Sequence, residues 1–250
     1  NSLTGSIHSD WMCDSLHYLT MLRLDSNTLS SSIPDCIGNL TRLTDLRLAN
    51  NQFSSSVPYS LSNLTLLTEL DLSNNQLTGS FPLSIFYLPA LQSLMAQNNQ
   101  LTILPDMGNG NPAETENGLG GYNIKYLTYI DFSNNQITSN ILGDGTWGLW
   151  MPQLITLYLY NNALTGYLNE TIRHFQKLED FRAYSNSLTG SMPDAIGDLT
   201  RLTTLMLDSN SLSSSIPEHI GLATALQTLT LSQNSLSSTV PINITYLTNL

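Results

Sequence analysis

The sequence predicts an elongated solenoid whose stacked turns form one long parallel β-sheet. Three observations indicate this fold. An asparagine recurs at intervals of 26, 24, 24, 24, 36, 27, 24, 24 and 24 residues, a leucine-rich stretch precedes each one after the first, and a hydroxyl residue follows each one. Repetition at a fixed period is typical of proteins in which each turn contacts only its neighbours. We call the recurring residues the ladder asparagines: Asn1, Asn27, Asn51, Asn75, Asn99, Asn135, Asn162, Asn186, Asn210 and Asn234.

Each turn begins with a segment in which leucines alternate with variable residues, as in Leu70-Asp71-Leu72. Alternation over so few residues predicts a short strand whose leucines point inward and whose intervening residues point outward. The ladder asparagine follows at a bend. Its amide carries donors and an acceptor, so it can satisfy backbone groups of adjacent turns, which an aspartate could not do equally.

The second half of each turn returns the chain to the next strand. An Ile-Pro step such as Ile33-Pro34 favours an extended backbone and predicts the end of a short side strand. The outer segment that follows, such as 35–40, is predicted to be a 3₁₀ or short helical turn. The hydroxyl residues form a row along the side of the solenoid: Thr4, Ser30, Ser54, Thr78, Thr102, Thr138, Thr165, Thr189, Ser213 and Ser237.

The consensus L-x-x-L-x-L-x-x-N-x-L-T-G-x-I-P-x-x-I-G-x-L, seen in Leu70–Pro82 and its neighbours, resembles the plant-type extracellular leucine-rich repeat. That family includes receptor-like ectodomains and polygalacturonase-inhibiting proteins, and similar repeats occur in secreted algal and protist proteins. The resemblance implies a right-handed superhelix of about ten repeats of ~24 residues. It also implies a concave parallel sheet, convex 3₁₀ or short-helical turns, and ligand binding by the exposed strand residues.

The resemblance covers nearly all of residues 1–250, which we interpret as a single repeat array. We expect it to be part of a longer array, because no polar capping turn is visible at either end. Low lysine content and the lack of paired-cysteine caps differ from the usual receptor ectodomain. The hydroxyl row suggests an ice-binding surface as one interpretation, but the repeat pattern itself requires Ser or Thr there, which favours a structural role.

Two segments interrupt the period. Residues 104–121 contain an insertion rich in Gly, Pro and Asn, which predicts a loop and not another turn. A shorter insertion lies within residues 143–152. Insertions in solenoids form loops on one face, often the binding face. A tolerated surface insertion is an equally good interpretation.

The composition limits the possible partners. Charged residues make up 11% of the chain and the formal net charge is −11. Nucleic acids and anionic membranes require clustered cations, so the sequence argues against both. No apolar run approaches the ~18 residues of a membrane span, so we expect no direct membrane insertion in this segment.

Cysteines and glycosylation motifs favour an extracellular or cell-surface location. Cys13 and Cys36, the two cysteines, lie 23 residues apart, so adjacent turns could bring them within disulfide reach. Two unpaired core cysteines are the alternative. Chance alone would produce several N-x-Ser/Thr motifs in this composition, but all four fall in the outer part of the repeat, which predicts N-linked glycans at Asn39, Asn63, Asn169 and Asn243.

No pattern in the sequence indicates catalysis. The four histidines, His8, His17, His174 and His219, occupy different repeat positions, and no metalloprotease, nucleophile-elbow, phosphate-loop or dinucleotide motif occurs. We therefore predict that the chain is not an enzyme and has no catalytic residue, metal site or cofactor.

The outward strand residues align into lanes along the concave face when they are counted back from each ladder asparagine. Near the start, Arg23, Arg47, Asp45, Glu69 and Asp71 form a charged patch, which we interpret as mutual neutralisation. In the middle, five residues converge, which we call the tyrosine cluster: Tyr129, Tyr158, Tyr160, Arg182 and Tyr184. Tyr and Arg are common anchors of binding surfaces, although aromatic decoration of an exposed sheet is the simpler alternative.

Two functional hypotheses follow. The first is a non-catalytic extracellular recognition module that binds a protein or glycan through its concave face. The second is a glycosylated structural subunit of a fibre, surface coat or cell wall that assembles with further copies of itself through uncapped repeat ends.

Overall fold

The computed structural model describes residues 1–7, 15–107, 124–140, 142 and 147–250. Within these ranges the chain is a leucine-rich-repeat solenoid, as the sequence predicts. Its main sheet, on the concave side, has nine parallel strands that pair in chain order in the described part. They are β2 (Met21–Arg23), β4 (Asp45–Arg47), β6 (Glu69–Asp71), β8 (Ser93–Met95), β10 (Tyr129–Asp131), β11 (Thr156–Tyr158), β12 (Asp180–Arg182), β13 (Thr204–Met206) and β15 (Thr228–Thr230).

A side sheet follows the bend in each turn. Its strands are β1 (Thr4–Gly5), β3 (Thr28–Ser32), β5 (Gln52–Ser55), β7 (Gln76–Ser80) and β9 (Gln100–Ile103), with a separate pair, β14 (Ser213–Ser214) and β16 (Ser235–Leu236). Short helices return the chain on the convex side. Those of 3₁₀ type are Asp35–Asn39, Tyr59–Asn63, Glu170–His174, Asp194–Asp198, Glu218–Leu222 and Ile242–Tyr246, and single α-helical turns lie at Leu83–Phe86 and Trp147–Trp150.

The core runs the length of the solenoid between the sheets and the convex turns. Leu70, Leu72 and Leu77 of one repeat have no exposed surface, and neighbouring repeats bury their equivalents in the same way. The short helices stack closely because glycine replaces a larger residue at their contact. A Cβ on Gly38 would lie 2.3 Å from the backbone oxygen of Ser60 in the next turn, which explains the glycine of the repeat pattern.

The ladder asparagines have the bonding role that the sequence predicts. Asn75 Nδ2 lies 3.0–3.1 Å from the carbonyl oxygens of Leu48, Leu72 and Ser73, and its Oδ1 accepts from the Phe53 N–H at 3.0 Å. One amide therefore closes its own bend and ties it to the preceding turn. In the described chain, the residue before each ladder asparagine from Asn27 onward has a positive φ of 52–58°. It is asparagine, which tolerates this conformation, at five of these nine positions, serine at three and glutamine at Gln233.

The sheet register confirms the alignment of lanes along the concave face. The middle positions of the face pair as Arg23, Arg47, Asp71, Met95, Asp131, Tyr158, Arg182, Met206 and Thr230. The 3₁₀ helices on the convex side confirm the prediction that outer segments form 3₁₀ or short helical turns.

The described part of the 143–152 insertion packs on the convex side. Trp147 and Trp150 are buried, and their rings contact Phe86 and Tyr87 at centroid distances of 5.5 and 5.9 Å. This part contributes to the core and not to the concave face. Residues 143–146, and all of the 104–121 insertion after Met107, lie outside the described residues.

Cys36 is disulfide-bonded. Cys13, the partner expected from the sequence, lies outside the described residues, so this pairing stays a prediction. No helix in the described ranges is long and apolar enough to cross a membrane.

Adjacent asparagines provide a test of the ladder. Asn51 Nδ2 donates to the carbonyls of Leu24, Leu48 and Ala49 at 2.9–3.1 Å, whereas Asn50 is exposed. Asn51→Asp would place a carboxylate against these carbonyls and should lower the free energy of unfolding by about 3 kcal/mol. Asn50→Asp, the matched control, should change it by less than about 0.5 kcal/mol. Chemical denaturation measures both, and equal losses would contradict the ladder's role.

Candidate ligand-binding face

Three adjacent strands hold the tyrosine cluster. β10, β11 and β12 pair in parallel, so that Tyr129 aligns with Thr156 and Asp180, and Asp131 aligns with Tyr158 and Arg182. Outward positions of neighbouring strands lie ~4.8 Å apart. Large side chains at these positions therefore touch, and the structure brings together all five residues that the sequence singled out.

The tyrosine rings form a continuous chain of contacts. Tyr129 and Tyr158 meet edge to face with 5.9 Å between centroids, and Tyr158 lies 6.1 Å from Tyr160. Tyr160 and Tyr184 stack at 4.5 Å with an interplanar angle of 8°. Such contacts stabilise each ring by ~1 kcal/mol and restrict its rotation. The cluster is therefore a rigid, half-buried aromatic surface.

Arg182 is engaged within the protein. Its Nε and one terminal nitrogen lie 2.8 and 2.7 Å from the two carboxylate oxygens of Asp180, and its guanidinium carbon lies 4.8 Å from the Tyr158 ring centroid. The Tyr158 hydroxyl donates to the same carboxylate at 2.8 Å. Burial, followed by this bond to Asp180, raises the pKa of Tyr158. Arg182 thus holds Tyr158 in place together with Asp180.

A buried carboxylate lies beside the cluster. Asp131 is only 5% exposed and accepts hydrogen bonds from the Ser133 hydroxyl at 2.6 Å and the Ser133 N–H at 2.9 Å. Burial is the main cause that raises its pKa, and the charge of Asp71 acts in the same direction. Burial, together with the charge of Asp131, raises the pKa of Tyr129 to about 12.

Four of the five residues in the charged patch near the start form ion pairs with one another, as expected. Arg23 binds Asp45 at 2.6 Å, and Arg47 binds Asp45 at 3.2 Å and Glu69 at 2.8 Å. Asp71 stands apart from these pairs and accepts the Ser73 N–H at 3.0 Å. The two arginines are therefore committed to their neighbours.

Asp180 and Asp131 also belong to the site, although they are not among the residues predicted from the sequence. The signal for Asp180 was its spacing: it lies two residues before Arg182 on one strand, so both side chains point to the same face. The spacing of Asp131 and Ser133 carried the same information. Burial of Asp131 could not be read from the sequence, because it depends on the bulk of the neighbouring tyrosines.

Other predicted site residues lie away from the concave face. Asn39 and Asn63 are exposed at the ends of their 3₁₀ helices, Asn169 accepts from the Thr171 N–H at 3.3 Å, and Asn243 donates to the Glu218 carbonyl at 3.2 Å. Within the described ranges, no group of three or more His, Cys, Asp or Glu side chains could hold a metal ion.

The burial of Asp131 leads to a pH-dependent prediction. Its pKa is higher in the folded chain than the ~3.9 of an unfolded aspartate, so stability is lost as the pH rises through the folded pKa. Asp131→Asn cannot ionise. The unfolding free energy of the variant relative to the wild type should therefore increase between about pH 4 and 7, by about 1.4 kcal/mol per unit of pKa shift, and stay constant below about pH 3.

The exposed Asp35 on the convex side provides the matched control. Asp35→Asn should show no such increase when urea denaturation is repeated across the same pH range. The contrary result is a difference in unfolding free energy between Asp131→Asn and the wild type that does not change with pH, or that shifts in favour of the wild type as the pH rises. Either result would contradict an ionisation penalty at this position.

Comparisons with known proteins agree with this architecture. Profiles described as "Leucine rich repeat" match residues 42–101 in one case, and 18–40, 126–145, 201–222 and 225–247 in another, together more than half of the chain. A search of curated protein sequences found no match.

Solved structures of plant proteins are similar to the chain. The plant peptide hormone receptor RGFR1 in complex with RGF2 has a TM-score of 0.78 and 27% identity over 100% of this chain and 41% of its own. The Arabidopsis receptor kinase HAESA, with the peptide hormone IDA and the co-receptor SERK1, has a TM-score of 0.67 and 30% identity over 96% and 42%. A plant ice-binding protein has a TM-score of 0.74 and 28% identity over 96% and 71%.

The chain spans about two fifths of the length of these receptors. The repeat period, the ladder bonds, the parallel main sheet and the profile matches all describe one architecture. The chain belongs to the leucine-rich-repeat family, and its repeats are similar to those of solved plant receptor structures.

Proposed function

We propose that the chain is a non-catalytic extracellular recognition module whose concave face binds a segment of a protein ligand. The observation that carries this proposal is the rigid tyrosine cluster. Its rings are fixed by mutual stacking and by the Arg182–Asp180 pair, yet all five side chains remain partly exposed on an open sheet. Aromatic surfaces that are ordered before binding lose little entropy when a ligand arrives.

The similar structures support a peptide or protein ligand over a glycan. RGFR1 was solved with RGF2, and HAESA with a peptide hormone and a co-receptor. An extended segment also fits a sheet whose exposed lanes repeat every ~4.8 Å. We therefore propose that a protein ligand lies across the tyrosine cluster. A glycan is the alternative ligand, and binding measurements with peptides and oligosaccharides distinguish the two.

Extracellular location belongs to the same proposal. It is supported by the disulfide of Cys36, since disulfides persist in oxidising compartments, and by the likeness to receptor ectodomains. The proposal includes N-linked glycans at Asn39, Asn63, Asn169 and Asn243, all of which lie away from the concave face.

Ice binding is a second candidate, because of the hydroxyl row and the likeness to a plant ice-binding protein. The bonds within the row argue for the structural role instead. The hydroxyls of Thr138, Thr165 and Thr189 donate to carbonyls of the preceding turn at 3.4, 3.1 and 3.0 Å. Inhibition of ice recrystallisation by the purified chain would reverse this order of preference.

Binding by the tyrosine cluster can be tested with selected peptides. A displayed library of random 12-residue peptides is panned against the wild-type chain, and the affinity of each selected peptide is measured by calorimetry. Tyr158→Ala and Tyr184→Ala should each weaken binding at least tenfold, because hot-spot aromatic residues contribute about 2 kcal/mol or more.

Tyr59 provides the matched control, since it is 68% exposed on the convex side. Tyr59→Ala should leave binding within twofold. Selected peptides that bind all three variants equally would refute the site. Binding only to members of an oligosaccharide panel would shift the ligand to a glycan, and concentration-dependent filaments in light scattering would favour the structural-subunit hypothesis.

Glycan attachment can be tested in the chain secreted from a eukaryotic cell. Asn63→Gln and Asn39→Gln should each remove the mass of one glycan, because both acceptors are exposed. Asn50→Gln, at an exposed asparagine outside any N-x-Ser/Thr motif, should remove none. Intact-mass measurement before and after enzymatic deglycosylation reads out the result, and a wild-type chain of unmodified mass would contradict the prediction.

A further inference from the structure

We infer that the protein ligand presents a basic side chain, and that its cationic group docks on the concave face between Asp71 and Asp131. This inference rests on the proposed function and adds the chemistry of the group that the face recognises. The site consists of these two carboxylates, the thioether of Met95 between them, the Gln97 amide and the Tyr129 ring. We call this set the cation site.

The charges of the concave face are unbalanced. Its outward strand positions and the positions just after the strands carry three arginines and seven acidic residues: Arg23, Arg47 and Arg182, against Asp25, Asp45, Glu69, Asp71, Asp131, Asp180 and Asp208. All three arginines are committed to Asp45, Glu69 or Asp180. Among the residues that the structure describes, no ion pair connects Asp71 or Asp131 to a cation.

The register sets the size of the cation site. Asp71, Met95 and Asp131 align directly on the adjacent strands β6, β8 and β10. The two carboxylates therefore flank Met95 with about two strand spacings, ~9.6 Å, between their backbones. This spacing leaves room for one ammonium or guanidinium group between the two carboxylates.

Gln97 adds an acceptor at the floor of the same site. It lies two residues after Met95 and therefore faces the same side. Its Oε1 is buried and has no hydrogen-bond donor in the described chain. A buried acceptor without a donor is unfavourable, and because Gln97 is only half-buried, rotation of its amide would bring this oxygen to a ligand N–H. An ammonium group has three donors, which matches the two carboxylates and this amide.

The aromatic side of the cation site also favours a cation. Tyr129 lies on the strand of Asp131, and its ring is fixed edge to face against Tyr158. A cation near an aromatic face gains ~0.5–2 kcal/mol, as Arg182 already does over Tyr158. A ligand lysine or arginine at this point would neutralise two carboxylates while its alkyl stem covers Met95 and the neighbouring ring.

Burial of Asp131 is explained by this role. The Asp131 carboxylate is 5% exposed and accepts hydrogen bonds from Ser133 and Tyr129, but it has no cation partner, so part of its desolvation cost is not offset in the free chain. Binding a cation would recover the lost electrostatic energy in the complex alone. An acidic or sulfated group would instead meet two like charges, and a neutral sugar would leave both carboxylates without a counter-charge.

The test uses three six-residue probes: hexalysine, hexaglutamate and a Gly-Ser repeat of the same length. We expect calorimetry to detect hexalysine binding to the wild-type chain and none for the other two. In chains produced without N-glycosylation, so that the N-x-Ser motifs created at these positions stay unmodified, Asp131→Asn and Asp71→Asn should each weaken hexalysine binding at least tenfold. The matched control Asp35→Asn removes the same charge from the convex side and should weaken it less than twofold. Thermal unfolding of every variant confirms that each one is folded.

A second variant tests the geometry of the cation site while both carboxylates, Asp71 and Asp131, stay in place. Met95→Lys places an ammonium group between Asp71 and Asp131 within the chain itself. It should raise the melting temperature and abolish hexalysine binding. Met206→Lys, at an equivalent lane position beyond the tyrosine cluster, should leave hexalysine binding within threefold, which separates occupancy of the site from general repulsion.

The outcomes distinguish this inference from the proposed function. Equal losses for Asp131→Asn and Asp35→Asn, or a Met95→Lys chain that still binds hexalysine, would overturn the cation site. If hexalysine does not bind while selected peptides bind and depend on Tyr184, the inference fails and the recognition role stands. If no selected peptide depends on Tyr184, the proposed function fails as well.

Discussion

The hydrogen bonds of the ladder asparagines are the interaction on which the rest of the structure depends. Each bend turns the backbone away from the main sheet and leaves carbonyl and N–H groups next to an apolar core. One amide satisfies groups of its own turn and of the preceding turn, as Asn75 does with Leu48 and Phe53. Together with the backbone hydrogen bonds between strands, this repeated bond fixes the register of adjacent turns in the described chain and thereby aligns the side chains into lanes.

Most of the fold could be predicted from the sequence because the same physical problem recurs in every turn. The repeat period, the alternation of leucines and the Ile-Pro step identify the strands, bends and outer turns. The same period predicts the register that places Tyr158 beside Arg182. The bonds that Arg182 makes could not be predicted, because they depend on side-chain conformation. The same applies to Trp147 and Trp150, whose position in an insertion suggested exposure, but which complete the convex core.

The concave face combines a rigid part with an unfavourable part. Stacked tyrosines and the Arg182–Asp180 pair fix one half, whereas Asp131 is buried without a cation and Gln97 retains a buried acceptor without a donor. Folding alone accounts for the first half, since aromatic contacts and ion pairs stabilise a sheet. It does not account for the second, because an apolar or amide side chain at position 131 would suit folding better. A surface that binds a basic segment accounts for both.

The most direct test of this account is residue-level footprinting of a bound ligand. Hydroxyl-radical labelling, with and without a saturating selected peptide, reports the accessibility of each tyrosine within one chain. The account predicts that Tyr129, Tyr158, Tyr160 and Tyr184 become protected, while Tyr59 and Tyr246 on the convex side keep their reactivity. Protection of the convex tyrosines, with the cluster unchanged, would contradict the claim that the concave face is the binding site.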